Sequence, residues 1–267
     1  GRTVPHQEIV QDLKFAVNTK QITEALESIQ GKGKYLTSSG FTNNSMGLHF
    51  LMQLRGNTLS IWNGDTTFAM NINLEVIGAE DGEFIGNVKT LVPYLKKYGE
   101  LTAFVVDDTI QVSSGTKKAS VSKVIQHPNM TAITRLQGML SNITYEEEIT
   151  NLPDFGKSKY EGAFVLTQDV YADCISSCEL ANHGAFKLDY NGNTVTFSSG
   201  ATIQNQYEER ITPTNCFGES ATLEYSGPLH KFFKKNTNIN FYVKDEFPLL
   251  LVAEDRMIIK APFSAGN

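Results

Sequence analysis

A short apolar run, a tight turn and a second apolar run recur four times along this chain. A motif reused in this way confines the fold to architectures assembled from one small unit. The copies are Leu48–Leu54 with Asn57–Ile61, Leu101–Val106 with Asp108–Val112, Ala185–Tyr190 with Asn193–Phe197, and Leu249–Val252 with Asp255–Ile259. Each second run opens on Asn-Thr, Asp-Thr or Asp-Arg, and two copies close on the same Ser-Ser-Gly, at Ser113–Gly115 and Ser198–Gly200. Apolar runs flanking turn-forming residues read as β-hairpins.

A helical pattern precedes every hairpin. The first is expected over Thr19–Gln30, with Ile22, Ala25, Leu26 and Ile29 at helical spacing, and the second over Thr90–Tyr98, with Leu91, Val92 and Leu95 on one face. Pro93 then falls near the start of the second helix, where a missing N–H is tolerated. The third spans Gln168–Leu180 and the fourth Pro228–Asn236, the latter apolar at Leu229, Phe232 and Phe233. Strand-like runs stand upstream at Leu13–Val17, Glu83–Ile85, Ala163–Leu166 and Ala221–Tyr225, with alternating stretches at Thr67–Val76 and Ala201–Ile211. Pairing the units gives two similar domains, 12–125 and 160–263. The connector between them, 126–159, carries Pro128, Gly138, Pro153, Gly156 and the acidic run Glu146-Glu147-Glu148, with room for one short helix. Amphipathic helices over hairpins make an α+β fold, helices on one face of antiparallel sheet.

Charge is distributed unevenly over these helices. The chain holds 23 Lys+Arg against 29 Asp+Glu, a net charge of −6. Yet the second helix sets Lys89, Lys96 and Lys97 opposite its apolar face, and the fourth does the same with Lys231, Lys234 and Lys235. Neither contains an acidic residue. The first mixes Lys20 with Glu24 and Glu27, whereas the third is acidic at Asp173 and Glu179. A solvated face usually mixes signs, so lysine alone at equivalent places in a repeat points to a polyanion. Ammonium groups attract phosphates as point charges without a sequence code, and such a surface binds duplex backbone weakly and salt-dependently.

Other classes fare worse. The longest apolar run, Phe247–Ala253, is far short of the roughly 20 residues that cross a bilayer, so no membrane partner is expected. The Gly1-Arg2 start reads as a processed end without a signal peptide. Cys174, Cys178 and Cys216 form neither a disulfide framework nor a zinc site, which suits a reducing intracellular setting. His6, His49, His127, His183 and His230 show no metal spacing and adjoin no nucleophile elbow. Gly31-Lys32-Gly33-Lys34 lacks the spacing of a phosphate loop, and Asp107-Asp108 and Glu208-Glu209 read as solvated charge. We therefore expect no catalytic residue, no metal and no cofactor.

Two stretches give the chain its resemblance to a known family. One is Asp245–Val252 followed by Ile258-Ile259-Lys260-Ala261-Pro262. The other is the series Ala163–Thr167, Asp169–Leu180, Ala185–Tyr190 and Val195–Gly200. Together with the fourfold repetition they resemble the DNA sliding clamps, or polymerase processivity factors. The likeness is to the two-domain, proliferating cell nuclear antigen type and its archaeal and phage relatives. The resemblance implies a ring of six similar domains with helices lining the hole, made here by three chains. The ring would encircle duplex DNA without sequence preference and tether a replicative polymerase. Lys20, Lys89, Lys96, Lys97, Lys231, Lys234 and Lys235 would then face DNA. It also implies a pocket near the C-terminal strand, at Pro248, Leu249, Ala261, Pro262 and Phe263, where polymerase and clamp loader dock a short peptide motif. The cytoplasm of a prokaryotic or phage-infected cell fits better than a nucleus. Two departures stand out: a long connector and a tail, Phe263–Asn267, without acidic residues. The competing reading is a ring-forming structural or interaction protein, such as a phage β-rich module, that never touches DNA.

Overall fold

The computed structural model describes residues 12–30, 49–145, 148–182, 185–202 and 205–263, with backbone alone at 201 and 202. Leu48, the Gly31–Lys34 stretch, Glu146, Glu147, His6, His183 and the tail 264–267 lie outside the described residues. The described chain divides into two compact units, 12–30, 49–63 and 71–130 in the first, 64–70 and 131–263 in the second.

In chain order the first elements are β1 (Leu13–Asn18), α1 (Thr19–Ile29), β2 (His49–Arg55), β3 (Thr58–Gly64), β4 (Phe68–Glu75), β5 (Ile77–Glu80), β6 (Gly82–Asn87), α2 (Val88–Leu95), β7 (Leu101–Val106), β8 (Thr109–Ser114) and β9 (Lys117–Ser122). After α3 (Met130–Met139) and the small hairpin of β10 (Asp154–Phe155) and β11 (Ser158–Lys159), the same order returns. It runs β12 (Gly162–Thr167), α4 (Gln168–Ala181), β13 (Ala185–Tyr190), β14 (Val195–Thr202), β15 (Asn205–Ile211), β16 (Asn215–Gly218) and β17 (Ala221–Ser226). A single 3-10 turn at Leu229–Phe232 follows, then β18 (Asn238–Val243), β19 (Leu249–Val252) and β20 (Arg256–Lys260).

Pairing repeats as faithfully as order. β1 pairs with β5 and β7, as β12 pairs with β16 and β18. β2 pairs with β3 and β6, as β13 pairs with β14 and β17. The meander β7-β8-β9 returns as β18-β19-β20. Each of these pairings is antiparallel, and the α+β class stands.

The four expected hairpins all form, but they are not four equivalent copies. The first three join the first and second strands of a three-stranded meander. The fourth, β19–β20, joins the second and third, and corresponds to β8–β9. The missed partner is β18, whose Asn238-Ile239-Asn240 start hides a strand buried from Ile239 to Val243. The edge strand β9 escapes a reading by hydrophobicity because it is mostly polar, Lys117-Lys118-Ala119-Ser120-Val121-Ser122. Residues 201 and 202, expected to open a strand reaching Ile211, instead end β14.

Three helices start without a loop, directly on the last residue of a strand, which caps them. Asn18 accepts from the Gln21 amide at 3.0 Å, Asn87 from Lys89 at 2.8 Å and Thr167 from Val170 at 3.3 Å. Each cap satisfies an amide that the first turn leaves unpaired. The expected fourth helix, Pro228–Asn236, does not form. Gly227 takes φ +95°, Pro228 follows in a non-helical conformation without a side-chain cap, and Asn236 closes the segment at φ +63°. Leu229, His230, Phe232 and Phe233 are still buried, on a helical spacing that the 3-10 turn keeps for four residues only. The second helix starts at Val88 rather than Thr90, so Pro93 lies in its interior and the turn ends two residues later.

Each unit has its own core. In the first, Phe15 stacks on Phe104 at 4.6 Å and Phe50 meets Phe84 edge-on at 5.9 Å, beside Ile22, Leu26 and Ile29 of α1 and Leu91, Val92 and Leu95 of α2. In the second, Phe241 stacks on Phe164 at 4.8 Å and takes the edge of Tyr171, whose hydroxyl meets that of Tyr225 at 2.9 Å. Cys174 and Cys178 are fully buried on α4. Their adjoining thiols, and then burial, push Cys174 well above its usual value. They act as core residues.

Candidate functional sites

On α2 the apolar residues Val88, Leu91, Val92 and Leu95 are buried while Lys89, Lys96 and Lys97 are exposed, as the helix period requires. α1 packs against α2, and Lys96 Nζ lies 3.5 Å from Glu27 on α1. Lys20 is exposed on the first turn of α1. Lys117 Nζ donates to the Lys97 carbonyl at 2.7 Å, placing another cation at the C-terminal end of α2, where the helix dipole favours it.

In the second unit Lys231, Lys234 and Lys235 stand exposed on the loop around the 3-10 turn rather than on a helix face. Arg256, 2% exposed, fixes that loop. Its Nη1 donates to the Phe232 carbonyl at 2.9 Å, and Nε and Nη2 each reach the Asp255 carboxylate at 3.0 Å. Asp255 in turn lies 3.2 Å from Lys234. Burial works to raise the Asp255 carboxyl, but Arg256 and Lys234 hold it below the usual carboxylate range. Lys234 is therefore partly neutralised where it stands. His230 is buried, with Nδ1 unpartnered; burial, then Lys231, lowers it to about 4, so it is neutral at ordinary pH and adds no charge to this surface.

The expected pocket residues separate. A cleft of about 170 Å³ in the second unit is lined by Pro248 and Ala261. Thr66, Thr67 and Phe68 form a second wall, Arg135 and Leu136 of α3 a third, and Phe155 and Ile259 complete it. Leu249 is buried in the strand behind, and Pro262 is exposed outside the lining. Phe263 lies elsewhere: its amide donates to the Glu224 carbonyl at 2.6 Å, and its ring borders a wider, polar recess with Lys187, Glu208 and Tyr207. Residue type alone could not reveal Arg135, Phe155 or Thr66–Phe68, because they come from segments far apart in sequence. The connector's one amphipathic stretch, with Ile133, Leu136 and Leu140, was the available signal.

The cleft is rigidly built. The Tyr160 hydroxyl donates to the Pro248 carbonyl at 2.7 Å, and the Phe247 ring is held edge-on between Tyr160 at 5.3 Å and Phe155 at 5.8 Å. The Ala261 amide donates to the Thr67 carbonyl at 2.7 Å, while Asp65 accepts from both the amide and hydroxyl of Thr67. Below Phe68 lies Lys260, 2% exposed, its ammonium 5.8 Å from the ring centroid. Burial lowers it to about 8, against a smaller opposing pull from Asp65.

In the first unit His127 is fully buried. Nδ1 accepts from the Asn129 amide at 3.0 Å, so Nε2 carries the proton and donates to Asn63 Oδ1, also at 3.0 Å. Burial, then His49, lowers His127 to about 4. The pair has no nucleophile to serve and anchors structure. Among the described residues no group of His, Cys, Asp or Glu is arranged to hold a metal ion, and no helix is long and apolar enough to cross a membrane.

No family model matches the sequence, and no curated protein matches it. Solved structures do. The DNA polymerase III β subunit of Thermotoga maritima superposes with a TM-score of 0.70 at 13% identity, over 94% of this chain and 65% of that one. The Helicobacter pylori β clamp bound to a DNA ligase peptide gives 0.64 at 15% identity, over 94% and 66%. This chain thus spans about two-thirds of the length of the bacterial clamps. The PCNA of A. fulgidus, in a structure with the C-terminal region of FEN-1 bound, gives 0.66 at 10% identity, over 96% of this chain and 100% of that one. Identity this low speaks to architecture alone, and the architecture is unambiguous: the chain has the fold of the DNA sliding clamps.

Proposed function

We propose that this protein is a non-catalytic sliding clamp that encircles duplex DNA and tethers a replicative polymerase. The observation that carries the reading is the doubled element order, β1 to β9 and β12 to β20, each half presenting exposed lysines at its second helix position. Two clamp domains, 12–125 and 160–263 joined by 126–159, would need three chains to complete six. Weak phosphate contacts suffice once the linkage is topological, so a chain of net charge −6 can stay on DNA while sliding freely. The cleft at Pro248 and Ala261 would receive the short peptide motif of a polymerase or clamp loader. The setting that suits this work is the cytoplasm of a prokaryotic or phage-infected cell.

The test is retention on a surface-tethered duplex whose free end is either open or blocked by a bound protein. The labelled chain should thread onto the open duplex, persist when the end is then blocked, and be lost when the duplex is cut. Changing Lys89, Lys96 and Lys97 together to Glu should leave folding intact and shorten retention at least tenfold, with a shallower salt dependence. Retention that ignores the end block would overturn the topological linkage, retention that survives the triple change would remove these lysines from the DNA contacts, and no retention in any arm would favour a ring with no DNA role.

A further inference from the structure

We infer that the cleft selects a peptide in which one apolar anchor side chain is flanked by a carboxylate, and that Arg135 is the residue reading the carboxylate. This rests on the docking role proposed above and adds the chemistry of the partner.

Size fixes the first half. At about 170 Å³ the cleft is smaller than the roughly 300–1,000 Å³ of small-molecule sites, and matches one large apolar side chain. Phe68, Leu136, Phe155, Pro248 and Ile259 supply an apolar lining for it.

Polar accounting fixes the second half. The wall's backbone and hydroxyl groups are largely engaged already: the Pro248 carbonyl with Tyr160, the Ala261 amide with the Thr67 carbonyl, and the Thr67 amide and hydroxyl with Asp65. Arg135 is the one charged residue in the lining, exposed, and in no ion pair among the described residues. A guanidinium offers a planar fork of donors that a carboxylate accepts two at a time. Among the described residues no acidic side chain lines the cleft to compete for it. Lys260 beneath Phe68 adds positive charge from below, and with Arg135 it outnumbers the single carboxylate of Asp65, whose Oδ1 accepts from Thr67. An incoming acid therefore meets a net attractive field and an unengaged partner, whereas an incoming lysine meets repulsion.

Fluorescence polarisation with acetylated, amidated octapeptides tests this. Each peptide carries a single Phe in a Gly-Ser background, with Asp, Asn or Lys at the adjoining positions. The Asp peptides should bind the full chain roughly tenfold more tightly than the Asn peptides, with Lys weakest. Arg135→Gln should erase the difference between Asp and Asn, and Arg135→Glu should make the Lys peptides the best ligands. Arg135 is exposed, so these variants keep the fold, which circular dichroism checks. Thr66→Trp, which fills the cleft from an exposed wall position, should abolish binding of all three. Equal binding of Asp and Asn peptides by the wild type, or an Asp preference that survives Arg135→Gln, overturns the acidic specificity. Peptides that fail to bind the wild type at all, or that still bind Thr66→Trp, overturn the docking role itself.

Discussion

Two cations share strand β20 and are buried equally, Arg256 and Lys260, each 2% exposed. Their energetic positions differ. Arg256 spends its fork on the Phe232 carbonyl and the Asp255 carboxylate, so its desolvation is offset by charge-assisted bonds. Lys260 lies against the Phe68 ring, and burial, opposed less strongly by Asp65, lowers it from 10.5 to about 8, which corresponds to roughly 3 kcal/mol of penalty on the charged form. The sign follows from proton counts. Below about 8 both folded and unfolded chains carry the proton, and the penalty is fully present. Between about 8 and 10.5 the unfolded chain is protonated and the folded chain is not, so stability rises with pH and the penalty fades. Lys260→Met keeps the length of the stem and removes the charge. It should raise the melting temperature at pH 7, at roughly 2–4 °C per kcal/mol, and the advantage should shrink towards pH 10. A variant no more stable than the parent at pH 7 would show that Lys260 is better satisfied than its burial suggests.

At the scale of elements, a strand ending in Asn or Thr starts a helix, and one that runs into Gly-Pro does not. Asn87→Ala should cost about 1 kcal/mol by leaving the Lys89 amide unpaired, while Asn87→Asp should cost a few tenths at most. Urea unfolding of the two variants measures the difference; equal losses would mean that Asn87 serves packing, not the cap. Only half of this contrast was read from the sequence: the periodic apolar residues after Asn18, Asn87 and Thr167 mark real helices, but Leu229, Phe232 and Phe233 show the same spacing, and the Gly227-Pro228 start that stops a helix there outweighs it. The hairpins were legible for the same local reason, since turn residues between apolar runs fix both strands at once. Strands lacking a local signature were not. β18 opens on polar residues, and β9 sits at an edge where one polar face costs nothing. The cleft was half legible: Pro248 and Ala261 lie in one recognisable C-terminal run. Arg135, Phe155 and Thr66–Phe68 meet them only through tertiary folding, which no spacing records, and Phe263 was misplaced because the tail turns to the Glu224 carbonyl.

At the scale of the whole molecule, open sheet edges are the feature that demands an explanation. In the first unit the sheet β5-β1-β7-β8-β9 ends at β9, and in the second the sheet β15-β14-β13-β17 ends at β15. Unpaired edges invite another strand. β9 carries Lys117 and Lys118, exposed, while β15 carries exposed Glu208, half-buried Glu209 and exposed Arg210, a net negative edge. Opposite charges on facing strands stabilise a pair and like charges oppose it, so two β9 edges or two β15 edges should repel while β9 should accept β15 of another copy. A contact between unlike edges is head-to-tail and closes into a ring when the rotation allows. We propose that this pairing joins the chains of the proposed three-chain ring. Light scattering should then give three times the 29.6 kDa chain at micromolar concentration. Lys117→Glu with Lys118→Glu should reduce that to the single chain, and so should Glu208→Lys with Glu209→Lys. Because every interface joins one edge of each kind, all four changes in one chain should restore the trimer. A fourfold variant that stays dissociated would assign the edges to some other contact. A parent chain that runs as a monomer with or without duplex DNA and a docking partner would leave the proposed ring without support.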